Sequence, residues 1–335
     1  MKSFHLVSLV ALSLVTTAAL FAEEKSGRKP MPPVGHVPDS LELKADQPYA
    51  ANDNPWQAVD LYLPKHRATE KPLPVVVYIH GGGWSGGSRR GGGPALLAAS
   101  GNYAGVSVGY RLSNEAKWPA QIHDCKAAIR WIRGHAKEYN LDPEHIGVTG
   151  TSAGGHLVSL LGLTEGVKEL EGDLGEFTNF SSKVTCVVNV CGPQDMASPL
   201  MQGEAALKDD PAVAGLLGGS LKEKAAEAKA CSPLTYVHAG APPFMTLHGT
   251  KDMRVNFTNA TRLQEALTKV GSPTILIPIT DGGHGFNSPE AYKRVQQFFD
   301  MHLRGIKSEI SSEPATNIVP LPAPSAPSVP SAEKK

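Results

Sequence analysis

The stretch Gly-Thr-Ser-Ala-Gly-Gly at residues 150–155 decides the fold. It follows a short apolar run at 145–149 that predicts a buried strand, and it precedes an Ala/Leu-rich segment at 155–163 that predicts a helix. A serine between glycines at a strand-to-helix turn is the context in which a G-x-S-x-G match predicts a nucleophile. The flanking glycines relieve the crowding of so tight a turn, because glycine has no Cβ. The stretch therefore predicts an exposed Ser152 at a helix N-terminus, whose dipole favours developing negative charge.

The composition is that of an ordinary globular protein. The chain has 335 residues, enough for one large α/β domain or two small ones. Lys+Arg and Asp+Glu both number 32, so the formal net charge is zero. This balance argues against nucleic acid or an anionic membrane as a partner held by charge. A neutral substrate is compatible with it.

The two ends of the chain differ in composition from its middle. Residues 1–22 carry Lys2 and then an apolar stretch with small residues, which predicts an export signal peptide in preference to a membrane anchor. Residues 23–40 are polar and proline-bearing and predict a linker, whereas 306–335 are rich in Pro, Ala and Ser and predict a disordered tail. We therefore expect a secreted or periplasmic protein with one folded domain at 41–305 and no membrane contact after signal cleavage.

Within residues 41–305, strand-like apolar runs alternate with amphipathic segments. Nearly continuous apolar runs are typical of strands that are covered on both faces of a parallel sheet. The alternation therefore predicts an α/β fold, with a mostly parallel central sheet and helices on both faces. An Ala/Lys/Glu-rich region at 196–233 interrupts the pattern and predicts a small helical cap insertion. The predicted strands are two within 41–63, then 73–80, 103–110, 145–149, 183–191, 244–248 and 274–279, and the predicted helices are 119–140, 155–163, 259–270 and 291–304.

Two loops downstream of Ser152 supply a candidate acid and a candidate base. A serine hydroxyl is a weak nucleophile until a base, usually a histidine oriented by a carboxylate, takes its proton. In this strand–nucleophile–helix setting the expected chain order is serine, acid, histidine. Asp252 and His284 fit that order, and each follows a predicted strand, at the sheet edge where ligands bind. Asp195 and Asp281 are the alternatives for the acid.

The glycine loop at residues 80–84, His-Gly-Gly-Gly-Trp, is a candidate oxyanion loop. The anion of a tetrahedral intermediate needs hydrogen-bond donors that are fixed in advance. We expect them to be the backbone N–H groups of Ala153, Gly82 and Gly83, as in HGGG-type loops. The alternative is a flexible glycine linker like the one at 91–93. Trp84 is a candidate for the substrate pocket, with a place in the core as its alternative.

The remaining histidines and the cysteines predict no metal site. His80, His156 and His248 are better explained as structural or loop-orienting residues. The spacings of the four cysteines resemble no zinc site, and buried apolar positions explain them best. A Cys186–Cys191 disulfide stays open at this point.

Residues 80–84 and 150–154, with Asp252 and His284, together resemble the α/β-hydrolase superfamily and are similar to its hormone-sensitive-lipase-like esterases. Within that group the sequence most resembles the bifunctional feruloyl/acetyl-xylan esterase-like family, also at 109–113, 118–124, 216–219 and 231–234. The resemblance implies the α/β-hydrolase fold and serine-dependent ester hydrolysis with neither a metal nor an organic cofactor. It also implies esters that decorate plant polysaccharides as frequent substrates. Many hormone-sensitive-lipase relatives have Asp before the nucleophile, where this chain has Thr151.

These observations predict a secreted serine carboxylesterase that acts on small-molecule or polysaccharide-linked esters. A peptidase of the prolyl-oligopeptidase type is one alternative, but such enzymes carry a large upstream propeller, and only about forty residues precede the predicted domain. A non-catalytic binding module on a hydrolase scaffold is the other. Such a module would usually have lost a residue of the serine–acid–histidine set, and all three are present here.

Overall fold

A nine-stranded sheet forms the centre of the computed structural model, which describes residues 31–198 and 210–318. In space the strands have the order β1-β2-β4-β3-β5-β6-β7-β8-β9. β2 is antiparallel to its neighbours β1 and β4, and the remaining neighbours in the sheet are parallel. The mostly parallel sheet is therefore confirmed. The strands are β1 (Leu41–Pro48), β2 (Ala58–Pro64), β3 (Leu73–Ile79), β4 (Ala104–Val108), β5 (Leu141–Thr151), β6 (Cys186–Val190), β7 (Phe244–Gly249), β8 (Thr274–Thr280) and β9 (Ala315–Thr316).

Helices cover both faces of this sheet, as the sequence pattern predicts. Val75 and Val77 of β3 pack in one buried cluster with Leu157, whereas Val76 packs in a second cluster with Phe298. Successive side chains of a strand point to opposite faces, so a strand covered on both sides is apolar at every position. The helices are α1 (Ala95–Ala99), α2 (Ala120–Gly134), α3 (Ala136–Tyr139), α4 (Ala153–Leu163), α5 (Lys168–Glu171), α6 (Pro211–Leu217), α7 (Ala225–Ala230), α8 (Thr258–Lys269) and α9 (Pro289–Arg304).

One predicted helix proves to be two. The segment 119–140 divides into α2 and α3 at His135, whose ring packs on that of Trp131 with the centroids 4.2 Å apart. Asn140 then ends α3 in the left-handed conformation, with φ of 52°. β5 starts directly afterwards at Leu141, four positions before the apolar run at 145–149. The apolar pattern does not reveal residues 142–144 as part of the strand, because none of them is buried.

The predicted cap region contains α6 and α7, although residues 199–209 lie outside the described part of the chain. Asp210 caps α6 by accepting hydrogen bonds from the backbone N–H groups of Ala212 and Val213. The same carboxylate forms an ion pair with Arg254, in the loop after β7. α6 is thus fastened to the carboxyl edge of the sheet, where the candidate acid and base lie.

The described part of the expected tail is ordered, so the predicted domain boundary at residue 305 is wrong. β9 pairs with the edge of β8, and Ala315 within it is fully buried. Arg294 of α9 donates hydrogen bonds to the carbonyl groups of Ser311, at 3.2 Å, and Glu313, at 2.5 Å. Backbone pairing and one arginine thus order a segment that has no apolar periodicity.

The other end of the domain also extends beyond its predicted boundary. Residues 31–40, which the sequence assigns to a linker, lie against the domain: Met31 packs on the core, and the backbone N–H of Gly35 donates to the carbonyl of Arg90 at 3.2 Å. The signal peptide at 1–22 and residues 319–335 lie outside the described residues. In the described ranges, no helix has the length and apolarity needed to cross a membrane.

Ending the chain after Ile306 should destabilise the protein. The truncation removes β9, one of the two strands that pair with β8, and leaves the Arg294 guanidinium without two acceptors. We expect a loss of about 2–3 kcal/mol in unfolding free energy and a fall of roughly 5 °C in Tm. The matched control ends after Ile318 and keeps every contact described above. Equal Tm values for the two truncated proteins would contradict the docking of 307–318.

Candidate active site

Ser152 occupies a strained turn between β5 and α4. Its backbone has φ of 57° and ψ of −118°, a region that side-chain-bearing residues seldom adopt and that costs about 1–3 kcal/mol. The backbone N–H of Ser152 donates to the carbonyl of Val190 at 2.8 Å, which ties the turn to β6. A Cβ on Gly154 would overlap the carbonyl oxygen of Ile79, and one on Gly150 would lie 2.5 Å from the carbonyl carbon of Gly154. Glycine is therefore required on both sides of the serine.

His284 joins Ser152 to Asp252 by two short hydrogen bonds. Its Nε2 lies 2.8 Å from Oγ of Ser152, and its Nδ1 lies 2.8 Å from Oδ2 of Asp252. A carboxylate accepts only, so Nδ1 carries the hydrogen and Nε2 is free to accept the serine proton. The three residues follow β5, β7 and β8 and meet at the carboxyl edge of the sheet. This is the Ser–His–Asp arrangement of serine hydrolases.

Asp252 is held as a carboxylate. Its Oδ1 accepts from the backbone N–H groups of Arg254 at 2.8 Å and Val255 at 2.9 Å. Burial on its own would raise the pKa of this group, but hydrogen bonds from His248, His284 and Val255 outweigh it and hold the pKa far below its usual range. The carboxylate therefore remains charged and can stabilise a positive imidazolium on His284.

The two alternative acids are engaged elsewhere. Asp195 accepts from the hydroxyl of Ser198 at 2.8 Å and pairs with Arg262 at 2.7 Å. Asp281 pairs with Lys251 at 2.7 Å on the exposed surface. Of the three aspartates, the structure brings Asp252 to the base.

The glycine loop packs directly on the serine turn. A Cβ on Gly81 would lie 2.6 Å from the carbonyl oxygen of Thr151 and 3.3 Å from Cβ of Ser152. Gly82 and Gly83 have φ of 112° and 58°, which only glycine adopts freely. Across residues 31–198 and 210–318, neither of their N–H groups donates to a protein acceptor. Two backbone donors thus stand uncommitted beside Ser152, as an oxyanion site requires.

Trp84 packs inside the protein, as the core alternative for this residue predicts. The side chain is only 3% exposed and belongs to the main core cluster. Its indole N–H donates to Nδ1 of His156 at 3.2 Å, and Nε2 of His156 in turn donates to the carbonyl of Cys231 at 2.7 Å. Burial lowers the pKa of His156 to about 4. Trp84 therefore anchors the glycine loop from beneath, a role that depends on a partner 72 positions away.

The structure adds a cavity that no sequence motif indicates. It has a volume of about 610 Å³ and lies beside His284, between the sheet and α9. Its walls come from several strands and from two helices, α1 and α9, so a linear pattern could not reveal it. The walls are mainly apolar and aromatic and include Tyr78, Leu97, Val190, Phe286, Tyr292 and Phe299.

Three buried side chains, one of them Asp252, are of the types that bind metal ions. The ligand atoms of Cys191, His248 and Asp252 lie within 4.8 Å of one another. Burial raises the pKa of the Cys191 thiol to about 12, which disfavours the thiolate that a metal would need. A cation here would also compete with His284 for Asp252. All four cysteines are free and buried, so the Cys186–Cys191 disulfide does not form.

Comparison with known proteins places this geometry in a family. The BD-FAE family model matches residues 59–267. The chain belongs to the BD-FAE family. The match covers more than half of the sequence and includes the glycine loop, Ser152 and Asp252. It confirms the resemblance to α/β-hydrolases and to their hormone-sensitive-lipase-like esterases.

Curated relatives of this BD-FAE protein are esterases of Mycobacterium tuberculosis. Esterase LipC is 32% identical over 241 residues, which cover 70% of this chain and 58% of LipC. Probable carboxylic ester hydrolase LipM is 32% identical over 245 residues, which cover 69% of this chain and 52% of LipM. The chain thus spans a little over half the length of these two relatives.

Solved structures share the fold over most of the described chain. A truncated form of a carbohydrate esterase from gut microbiota is 31% identical, with a TM-score of 0.72, and the match covers 81% of this chain and 99% of that one. The propionate-bound esterase Est2 of Thermogutta terrifontis is 26% identical, with a TM-score of 0.60, and the match covers 80% of this chain and 94% of Est2. The α/β-hydrolase architecture is therefore confirmed.

Asp252→Asn should lower kcat by about 10⁴, because an amide cannot hold His284 in the required tautomer or stabilise its positive form. The matched control is Asp195→Asn, which alters a carboxylate after a neighbouring strand and should leave kcat near the wild-type value. Steady-state kinetics on one soluble ester separate the two. Opposite effects would place the acid after β6.

Gly83→Ala should lower kcat by about 10²–10³, the usual loss when one oxyanion donor is displaced. The new Cβ would lie 3.3 Å from Cβ of Ala212, and the positive φ adds about 1–3 kcal/mol of strain. KM should change less than kcat, because the donor is aimed at the oxyanion. Gly91→Ala is the matched control, since a Cβ there meets no atom within 4 Å. An unchanged kcat for a folded Gly83→Ala protein would exclude this loop as the oxyanion site.

Proposed function

We propose that this chain is a serine carboxylesterase that works through an acyl-enzyme. The observation that carries the proposal is the pair of 2.8 Å hydrogen bonds that join Ser152, His284 and Asp252 beside an uncommitted pair of glycine N–H groups. The names of the curated relatives and of the solved esterases support ester hydrolysis as the reaction.

The reaction follows from the positions of the hydrogens. Nε2 of His284 accepts the hydroxyl proton of Ser152 while Oγ attacks the ester carbonyl carbon. Negative charge moves to the carbonyl oxygen, where the N–H groups of Gly82, Gly83 and Ala153 receive it. His284 then gives its proton to the leaving alcohol, and an acyl-serine remains. Water attacks that ester by the same sequence, with His284 as base and then as acid, and the free carboxylic acid departs.

Two observations support the substrate class that we propose. The carbohydrate esterase that shares 31% identity suggests esters on carbohydrates, including polysaccharide-linked ones. The apolar cavity beside His284 is larger than an acetyl group needs, which favours aromatic acyl groups such as feruloyl as well as acetyl. We also propose export from the cytoplasm, on the basis of residues 1–22 alone; fractionation of cells that express the full chain tests it.

Ser152→Ala should abolish ester hydrolysis, with a loss on the order of 10⁶ in kcat, while Tm stays near the wild-type value. The measurement is turnover of short-acyl chromogenic esters, acetylated xylan and feruloyl esters. The control is Ser181→Ala, which changes an exposed serine outside the candidate site and should retain full activity. Wild-type protein that is folded and hydrolyses no ester in this panel would contradict the proposal.

A further inference from the structure

His248 is a second histidine that contacts the candidate acid, Asp252. It is a residue of β7, four positions before Asp252, and its side chain is fully buried. Its Nε2 lies 2.9 Å from the carbonyl oxygen of Val255 and 3.2 Å from Oδ2 of Asp252. Both neighbours are acceptors, so the hydrogen must sit on Nε2 and the two oxygens share it. Nδ1 has no partner within the described residues.

This arrangement makes Oδ2 of Asp252 the meeting point of two imidazoles. His284 approaches it at 2.8 Å and His248 at 3.2 Å. Oδ1 of the same carboxylate is held by the backbone N–H groups of Arg254 and Val255. Each oxygen therefore has at least one donor that does not touch the substrate. Without His248, the side-chain donor left at Oδ2 would be His284, the residue that must take up and release a proton at Nε2.

We propose that His248 is a positioning residue. Its Nε2–H holds Oδ2 of Asp252 in the position that His284 needs, and it also draws part of the negative charge away from that oxygen. This inference rests on the proposed hydrolase function. His248 reaches the reaction through Asp252 and His284, because its buried ring is out of reach of a substrate. The ring of Phe257 packs edge-on against it, with the centroids 5.7 Å apart, and holds the imidazole in place.

Among the described residues, three further titratable or charged side chains lie around His248 and Asp252. The Cys191 thiol, just after β6, has its sulfur within 4.8 Å of both side chains. His284 faces Asp252 from the loop after β8. Arg254 lies in the same loop as Asp252, and Asp210 neutralises its guanidinium. Loss of the hydrogen bond from His248 should therefore change the charge on the Asp252 carboxylate and, through it, the stability of protonated His284.

The test is a pair of amide substitutions at residue 248. In His248→Gln the amide nitrogen lies three bonds from Cβ, as Nε2 does, so it can donate to Asp252. In His248→Asn the amide stops near the position of Nδ1, which has no partner, so the bond to Asp252 is lost. Both variants keep a polar planar group. His238→Asn changes an exposed histidine before β7 and is the control for a histidine change without this contact.

His248→Asn should lower kcat about 10- to 100-fold, the usual loss of a hydrogen bond to a charged group, with KM nearly unchanged. The acid limb of the kcat/KM profile should move to higher pH. A carboxylate that loses a donor holds more negative charge at Oδ2, and that charge favours the positively charged form of His284. His248→Gln should keep kcat within about 3-fold of wild type and restore the profile.

The proton NMR signal of the Nδ1 hydrogen of His284 in the resting protein gives a readout that needs no ester, because this hydrogen lies in the 2.8 Å bond to Asp252. The signal should shift in His248→Asn, where Oδ2 loses its second donor, and should return in His248→Gln. If wild-type protein hydrolyses esters and both variants match it in kcat, in the pH profile and in this signal, the inference is overturned while the proposed function stands. The inference is also overturned if His248→Gln loses as much kcat as His248→Asn, because the loss would then come from the smaller side-chain volume and not from the missing donor.

Discussion

The contact between two turns, one after β3 and one after β5, governs the rest of the structure. The backbone of Ile79 approaches Gly154 so closely that no Cβ fits between them, and the glycine loop after Ile79 lies on the turn that carries Ser152. β3 and β5 are hydrogen-bonded neighbours in register from Val75 to Ile79, so the sheet itself brings the two turns together. The candidate nucleophile and the proposed oxyanion donors are therefore brought together by backbone pairing.

The same sheet brings the acid and the base to the nucleophile. Asp252 and His284 follow β7 and β8, and the parallel direction of these strands places both loops on the edge where β5 ends. Arg254, two residues after the acid, pairs with Asp210 and so connects this edge to α6. The cap, the acid and the base form one hydrogen-bonded layer over the carboxyl ends of the strands.

The sequence predicts those parts of the site that depend on local pattern and chain order. Ser152, Asp252 and His284 each follow an apolar run, and their order along the chain is the one that such a fold requires. Trp84 could not be placed in this way, because its indole N–H is satisfied by His156, 72 positions further along. β9 could not be predicted from local pattern either, because its two residues carry no strand signal and pair with β8, a strand more than thirty positions earlier in the chain. The cavity beside His284 and the contact of His248 with Asp252 depend on strands that are distant in sequence.

Two buried histidines, His80 in the glycine loop and His156 beside Trp84, couple the folding equilibrium to pH. His80 stacks on Tyr110, with the ring centroids 4.3 Å apart, and burial lowers its pKa from the ordinary 6.5 to about 4, as burial does for His156. In an unfolded chain both imidazoles would take up protons as the pH falls below about 6.5, whereas the folded protein resists until about pH 4. The unfolded state therefore binds more protons across this window, and the free energy of unfolding decreases as the medium is acidified. These two histidines thus make the loop proposed to supply the oxyanion donors one of the places where acid weakens the fold.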